Sequence, residues 1–117
     1  MDDDERGGGR EAVDQWHRAG VTAVVAYDDD VAAAVTGAAV RSGLSVPGDL
    51  SVIGHDDSPL AALFVPTLTS VRMNSSGLGR YVAQEALHLA DRRPRPSSGA
   101  DIDVTLVARE STAPLGA

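Results

Sequence analysis

Val21-Thr22-Ala23-Val24-Val25-Ala26-Tyr27-Asp28-Asp29-Asp30 and Leu50-Ser51-Val52-Ile53-Gly54-His55-Asp56-Asp57-Ser58 decide the fold. Each is a short apolar run that ends in carboxylates. Continuous apolar runs of this length mark buried parallel strands. Between them, Val31 to Ser42 is rich in Ala and Val and has the length of a helix. The pattern is strand–helix–strand, with acids at the carboxyl end of both strands. Open parallel sheets bind ligands beyond those ends. The two acid turns are therefore also the candidate site. Acids placed there bind hydroxyl-rich or cationic ligands, hold a metal, or do chemistry.

Working outward, Arg10 to Ala19 has helical spacing, with Val13 and Trp16 on one side and Gly20 as a stop. Trp16 reads as a core anchor. One of Asp28, Asp29 and Asp30 should cap the helix that follows. Val31, Ala34, Val35, Ala38 and Ala39 form a stripe of small residues on it. Val46-Pro47-Gly48-Asp49 is a turn. A short helix is expected over residues 59–64, an extended piece over 68–73, and a helix opened by Asn74 or Ser75. In that last helix Leu78, Tyr81, Val82, Ala86 and Leu89 share a face. Pro94 to Ala100 reads as loop. Asp101 to Val107 reads as a half-exposed strand, with Ile102, Val104 and Leu106 on one side. This alternation predicts an α/β protein with a parallel sheet.

The composition narrows the function. The 117 residues carry 17 acids against 10 basic residues, for a net charge of −7. Such a chain lacks the basic face that neutralises phosphates, so nucleic-acid binding by these residues alone is not expected. Arg92-Arg93-Pro94-Arg95 reads as a solvated helix end. All basic residues are Arg, and without Lys there is no Schiff-base or P-loop chemistry. Without Cys there is no disulfide or thiolate site. No stretch approaches the ~18 apolar residues of a membrane span. Residues 1–9 are acidic and Gly-rich, unlike a signal peptide, and read as a disordered lead-in. The absence of Cys is compatible with a reducing cytoplasm, the expected location.

Three chemical readings compete at the acid turns. Val24 to Asp30 fits the front half of an aspartate phosphotransfer signature, and His55-Asp56-Asp57 has oxygen ligands that suit Mg²⁺. Phosphoryl transfer also needs a cation on the phosphate, usually Lys, which disfavours that reading. His55 is a candidate base or ligand, since His17 and His88 fall on helices instead. No GxSxG or GxGxxG is present. Binding of sugars or nucleosides needs no reaction, because a carboxylate accepts two hydroxyl hydrogen bonds at once.

Several segments, in order, resemble LacI/GalR-type transcriptional regulators. Thr22 to Ala32 resembles their TAhhAxNDxhA segment (h, hydrophobic). Gly43 to Asp57 resembles GLxVPxDhSVhGaDD (a, aromatic), and Pro66 to Arg72 resembles PxLTTV. Leu78-Gly79 and Arg109-Glu110-Ser111-Thr112 also fit. The resemblance implies an incomplete periplasmic-binding-protein-like fold, the C-terminal third of a two-lobed effector domain. It implies residues 10–57 in the C-terminal lobe, 58–99 in the N-terminal lobe, and 100–117 as a return strand and tail.

By the same resemblance, effector binding falls on Asp56, Asp28, His55 and Met73. Asp28 stands where Asn is usual, His55 where Phe or Tyr is usual, and Met73 where Gln is common. A dimer surface is implied at Val31, Ala34, Val35, Ala38 and Phe64. The expected function is the sensing and dimerising part of a regulator. It would bind a sugar-like effector and control DNA binding through a headpiece outside these residues. No enzyme activity, cofactor or metal is expected. A periplasmic-type sugar-transport receptor is the alternative, and Mg-dependent phosphotransfer is disfavoured.

Overall fold

The structure, a computed structural model, describes residues 3–91 and 103–116. The element order is α1 (Asp3–Arg18), β1 (Ala23–Val25), α2 (Asp29–Arg41), β2 (Ser51–His55), α3 (Pro59–Leu63), β3 (Thr69–Met73), α4 (Ser75–Asp91) and β4 (Val104–Val107). The four strands form one sheet in the order β1-β2-β3-β4. β1 and β2 are parallel, with Val24 opposite Val52. β2 and β3 are also parallel, with Gly54 opposite Ser70.

Parallel neighbours require crossovers, and helices supply them. α2 returns the chain from β1 to β2, and five-residue α3 returns it from β2 to β3. Asp28 opens α2 by accepting the Val31 N–H at 2.8 Å. Gly43, at φ +84, lets the chain leave the helix beyond Arg41 in a conformation that costs a Cβ-bearing residue more.

The chain divides into two compact units, residues 1–71 with 106–117 and residues 72–105. The first unit has a small aliphatic core. Val13 of α1, Ala32, Ala38 and Ala39 of α2, Leu50, Val52, Ala61 and Leu68 are all buried, with Trp16 and Phe64 packed against them. Trp16 thus serves as the expected anchor. Ala61, Leu68, Thr69 and Ser70 are buried within the first unit.

Three expectations change. α1 begins at Asp3, so the expected disordered lead-in is helical from there on, and it packs on α2. In α4, Val82 and Leu89 are exposed, and Tyr81 is half-buried. Val104 and Leu106 of β4 are also exposed rather than facing a core. In α4 and β4 the apolar pattern is present in the sequence, but the described residues do not cover it. Ile102, expected on the same side of that strand, and the loop from Pro94 to Ala100 lie outside the described residues.

After β4, the segment Arg109 to Thr112 laces the first unit. The Val52 N–H donates to Ser111 O and the Ser111 N–H donates to Thr67 O, both at 2.9 Å. Ser111 Oγ accepts the Thr69 N–H and donates to Val52 O. Glu110 accepts both the Thr67 hydroxyl and the Thr67 N–H. Those bonds hold the Glu110 carboxyl below its ordinary pKa.

Candidate functional site

The carboxyl ends of β1 and β2 bring the two acid turns together, and their carboxylates divide into different roles. Asp28 is committed to the α2 N-cap. Asp30 is exposed on the first turn of that helix. Asp29 is the buried one, at 1 % exposure. Its Oδ2 accepts the Ser58 N–H at 2.6 Å, and its Oδ1 accepts the Ser70 hydroxyl at 2.7 Å.

Gly54 makes room for that carboxylate. A Cβ on Gly54 would overlap Asp29 Oδ1 and stand 3.2 Å from Asp29 Cα. The glycine in the middle of β2 is therefore a steric requirement of the buried acid.

Asp57 faces inward. Its Oδ1 accepts from Arg109 Nη2 at 2.6 Å, with the two side chains 11 % and 18 % exposed. Arg109 Nη1 donates to Leu68 O at 2.9 Å. The Asp57 N–H donates to Ser70 Oγ at 2.9 Å, so Ser70 joins Asp29 to the Asp57 backbone.

Asp56 points the other way. Its side chain is 64 % exposed, and Oδ1 lies 2.7 Å from His55 Nδ1. Together with Tyr27, which is 86 % exposed, His55 and Asp56 line an open depression of about 360 Å³. An exposed carboxylate, an imidazole and a phenol ring offer acceptors, a donor and an apolar face, the combination that polyhydroxylated ligands use.

The structure thus groups Asp56 and His55 from the sequence-derived site set and adds Tyr27. Asp28 lies at the end of the adjacent strand with its Oδ1 on the Val31 N–H. Met73 ends β3 in the second unit, 38 % exposed. Of the dimer-surface residues, Val31 and Ala34 are exposed, and Val35 and Phe64 are half-buried against the core. Ala38 is 5 % exposed; it faces the core of its own chain, so it is not a surface residue here.

The Asp29–Ser70–Asp57–Arg109 network was not singled out from the sequence. Three consecutive Asp residues leave open which one turns inward. The pairing of Asp57 with Arg109 spans a sequence separation of 52 residues, beyond any local pattern.

Residues 1–112 match the Periplasmic binding protein-like domain family. The chain belongs to that family, and the curated relatives it matches are transcriptional regulators. It is 40 % identical over 90 residues to the HTH-type transcriptional regulator GalR of Escherichia coli, a match covering 77 % of this chain and 26 % of GalR. It is 33 % identical over 89 residues to the ribose operon repressor of Bacillus subtilis, covering 76 % of this chain and 27 % of that one. A LacI-family regulator from Arthrobacter, solved in complex with lactose, superposes with a TM-score of 0.66 at 32 % identity, over 90 % of this chain and 41 % of that one. The chain therefore spans about a quarter of the length of the curated relatives it matches. Among the described residues no helix is long and apolar enough to cross a membrane.

Proposed function

We propose that this chain is part of the effector-sensing portion of a LacI-type regulator, and that Asp56 is its principal effector contact. One observation carries the reading. Among the acids of the two turns, Asp28 caps a helix and Asp29 and Asp57 are hydrogen-bonded inward, while Asp56 is presented to the depression beside His55 and Tyr27. The effector is sugar-like. The lactose complex of the Arthrobacter regulator and the name of the ribose operon repressor support that chemistry. Asp28 is a secondary contact in this reading. Asp in place of Asn at position 28 keeps an acceptor and loses a donor, which shifts the choice among sugars.

The function includes pairing with a second copy through the exposed face of α2 at Val31 and Ala34, with Phe64 at its margin. Effector binding favours one of two arrangements and thereby alters DNA binding by a headpiece outside these residues, in the cytoplasm. Thermal unfolding with lactose and with ribose tests the reading. A ligand that binds only the folded chain stabilises it by about 2.7 kcal/mol at a hundredfold excess over Kd. Stabilisation by at least one of the two sugars that disappears in Asp56→Asn supports it. The same stabilisation in wild type and Asp56→Asn overturns it.

A further inference from the structure

Asp56 and Asp57 have φ values of +94° and +50°. Residues with a Cβ seldom hold that region, and they do so where their surroundings over-determine it. Here the surroundings act at three successive residues. The Asp56 N–H donates to Val71 O at 2.8 Å, and the Asp57 N–H donates to Ser70 Oγ at 2.9 Å. The Asp57 carboxylate accepts from Arg109 at 2.6 Å, and the Ser58 N–H donates to Asp29 at 2.6 Å.

The tethering groups are themselves fixed. Ser70 donates to Asp29, and the space for Asp29 exists because residue 54 has no Cβ. Arg109 is held at its backbone by Thr69 Oγ1 at 2.9 Å, and its second guanidinium nitrogen donates to Leu68 O. One planar fork thus bridges Leu68, the residue before β3, and the turn, which a lysine ammonium does not reproduce.

We propose that Asp29 and Arg109 are positioning residues of the effector-contact turn. They hold Asp56 and Asp57 in the left-handed geometry that turns Asp57 inward and presents the Asp56 carboxylate to the depression. Neither lines that depression. The proposal rests on the reading of Asp56 as the effector contact.

The test is nuclear magnetic resonance on the labelled 117-residue chain, comparing wild type with Arg109→Met, Arg109→Lys, Asp29→Asn and Glu110→Gln. Left-handed residues give a strong intraresidue amide–Hα cross peak. It should be strong at Asp56 and Asp57 in wild type. It should weaken in Arg109→Met, Arg109→Lys and Asp29→Asn, while the remaining spectrum stays dispersed. Glu110→Gln removes the charge at the adjacent position, keeps an oxygen that can accept from Thr67, and should leave the turn unchanged. Strong cross peaks retained in Arg109→Lys and Asp29→Asn overturn the proposal, and these milder variants decide it if Arg109→Met does not fold.

Lactose, added as the probe, separates the two claims. A turn that is left-handed about a tenth of the time binds about tenfold more weakly. A relaxed turn with about a tenfold loss of lactose affinity supports both claims. A relaxed turn with unchanged lactose affinity leaves the positioning intact and removes Asp56 as the contact. The cross peaks decide the positioning whether or not lactose binds.

Discussion

Replacing Asp29 with alanine should be among the most destabilising single changes in this chain. The side chain is 1 % exposed and accepts two hydrogen bonds, from the Ser58 backbone and the Ser70 hydroxyl. A hydrogen bond to a charged group contributes about 1.5–3 kcal/mol, and a buried donor left without a partner retains its desolvation cost. Losing both acceptors therefore costs about 3–6 kcal/mol, a large part of the ~5–15 kcal/mol that holds a domain folded. Asn tests the accounting, because it keeps the shape and has a single acceptor oxygen. If that oxygen meets the Ser58 N–H, the amide nitrogen faces Ser70 Oγ, which already accepts from Asp57. The Ser70 proton then loses its acceptor. Asp29→Asn should cost about half as much as Asp29→Ala. Urea unfolding at neutral pH reads both, and with a slope of about 1.5 kcal/mol/M the Asn variant's midpoint falls by roughly 1–2 M. Asp30→Ala, at the exposed neighbouring acid, should stay within about 0.5 kcal/mol of wild type. Equal effects at positions 29 and 30 would refute the assignment of the buried acid.

Gly54→Ala pushes a methyl group against the Asp29 backbone and should cost about 1–3 kcal/mol, seen as a fall in Tm of about 4 °C for each of these; an unchanged Tm would mean the two segments are not in contact. Val31→Arg and Ala34→Arg place charge on the exposed face of α2 and should turn a dimer into a monomer in sedimentation velocity, with the fold retained; an unaltered dimer would move the interface elsewhere. Two exposed carboxyls titrate below their ordinary values, Asp49 through its bonds from the Ser45 backbone and hydroxyl, and Glu110 through its bonds from Thr67. Because their folded values are depressed, their contribution is present above the ordinary values of 3.8 and 4.5 and is lost as pH falls through the folded values. The acid limb of stability should therefore flatten in Asp49→Asn and Glu110→Gln; a limb identical to wild type would contradict these bonds.

The parts of the fold visible in the sequence are those set by local pattern. The apolar runs at Val21 and Leu50 became neighbouring parallel strands, and the Ala/Val-rich segment between them became their crossover helix. Asp28 took the N-cap as helix-terminus chemistry requires. The division of labour among the acids was not visible. Which member of Asp28-Asp29-Asp30 turns inward depends on Gly54 and Ser70, residues on other strands. The partner of Asp57 lies near the end of the chain, and Tyr27, two residues beyond β1, lines the depression. The periodicity of α4 and β4 was legible, but its burial was not. A pattern says which residues share a side and is silent on whether anything covers that side; Leu89 and Val104 remain exposed.

The most direct test of the central claim is an amide chemical-shift titration of the 117-residue chain with lactose and with ribose, in wild type and in Asp56→Asn. Asn keeps the left-handed turn accessible, removes the charge and replaces one acceptor oxygen with an NH2 donor. The account predicts saturable shifts at Tyr27, His55 and Asp56 with at least one sugar, and their loss in Asp56→Asn while the rest of the spectrum is preserved. Saturable shifts that leave those three residues still, or that persist unchanged in Asp56→Asn, would contradict it.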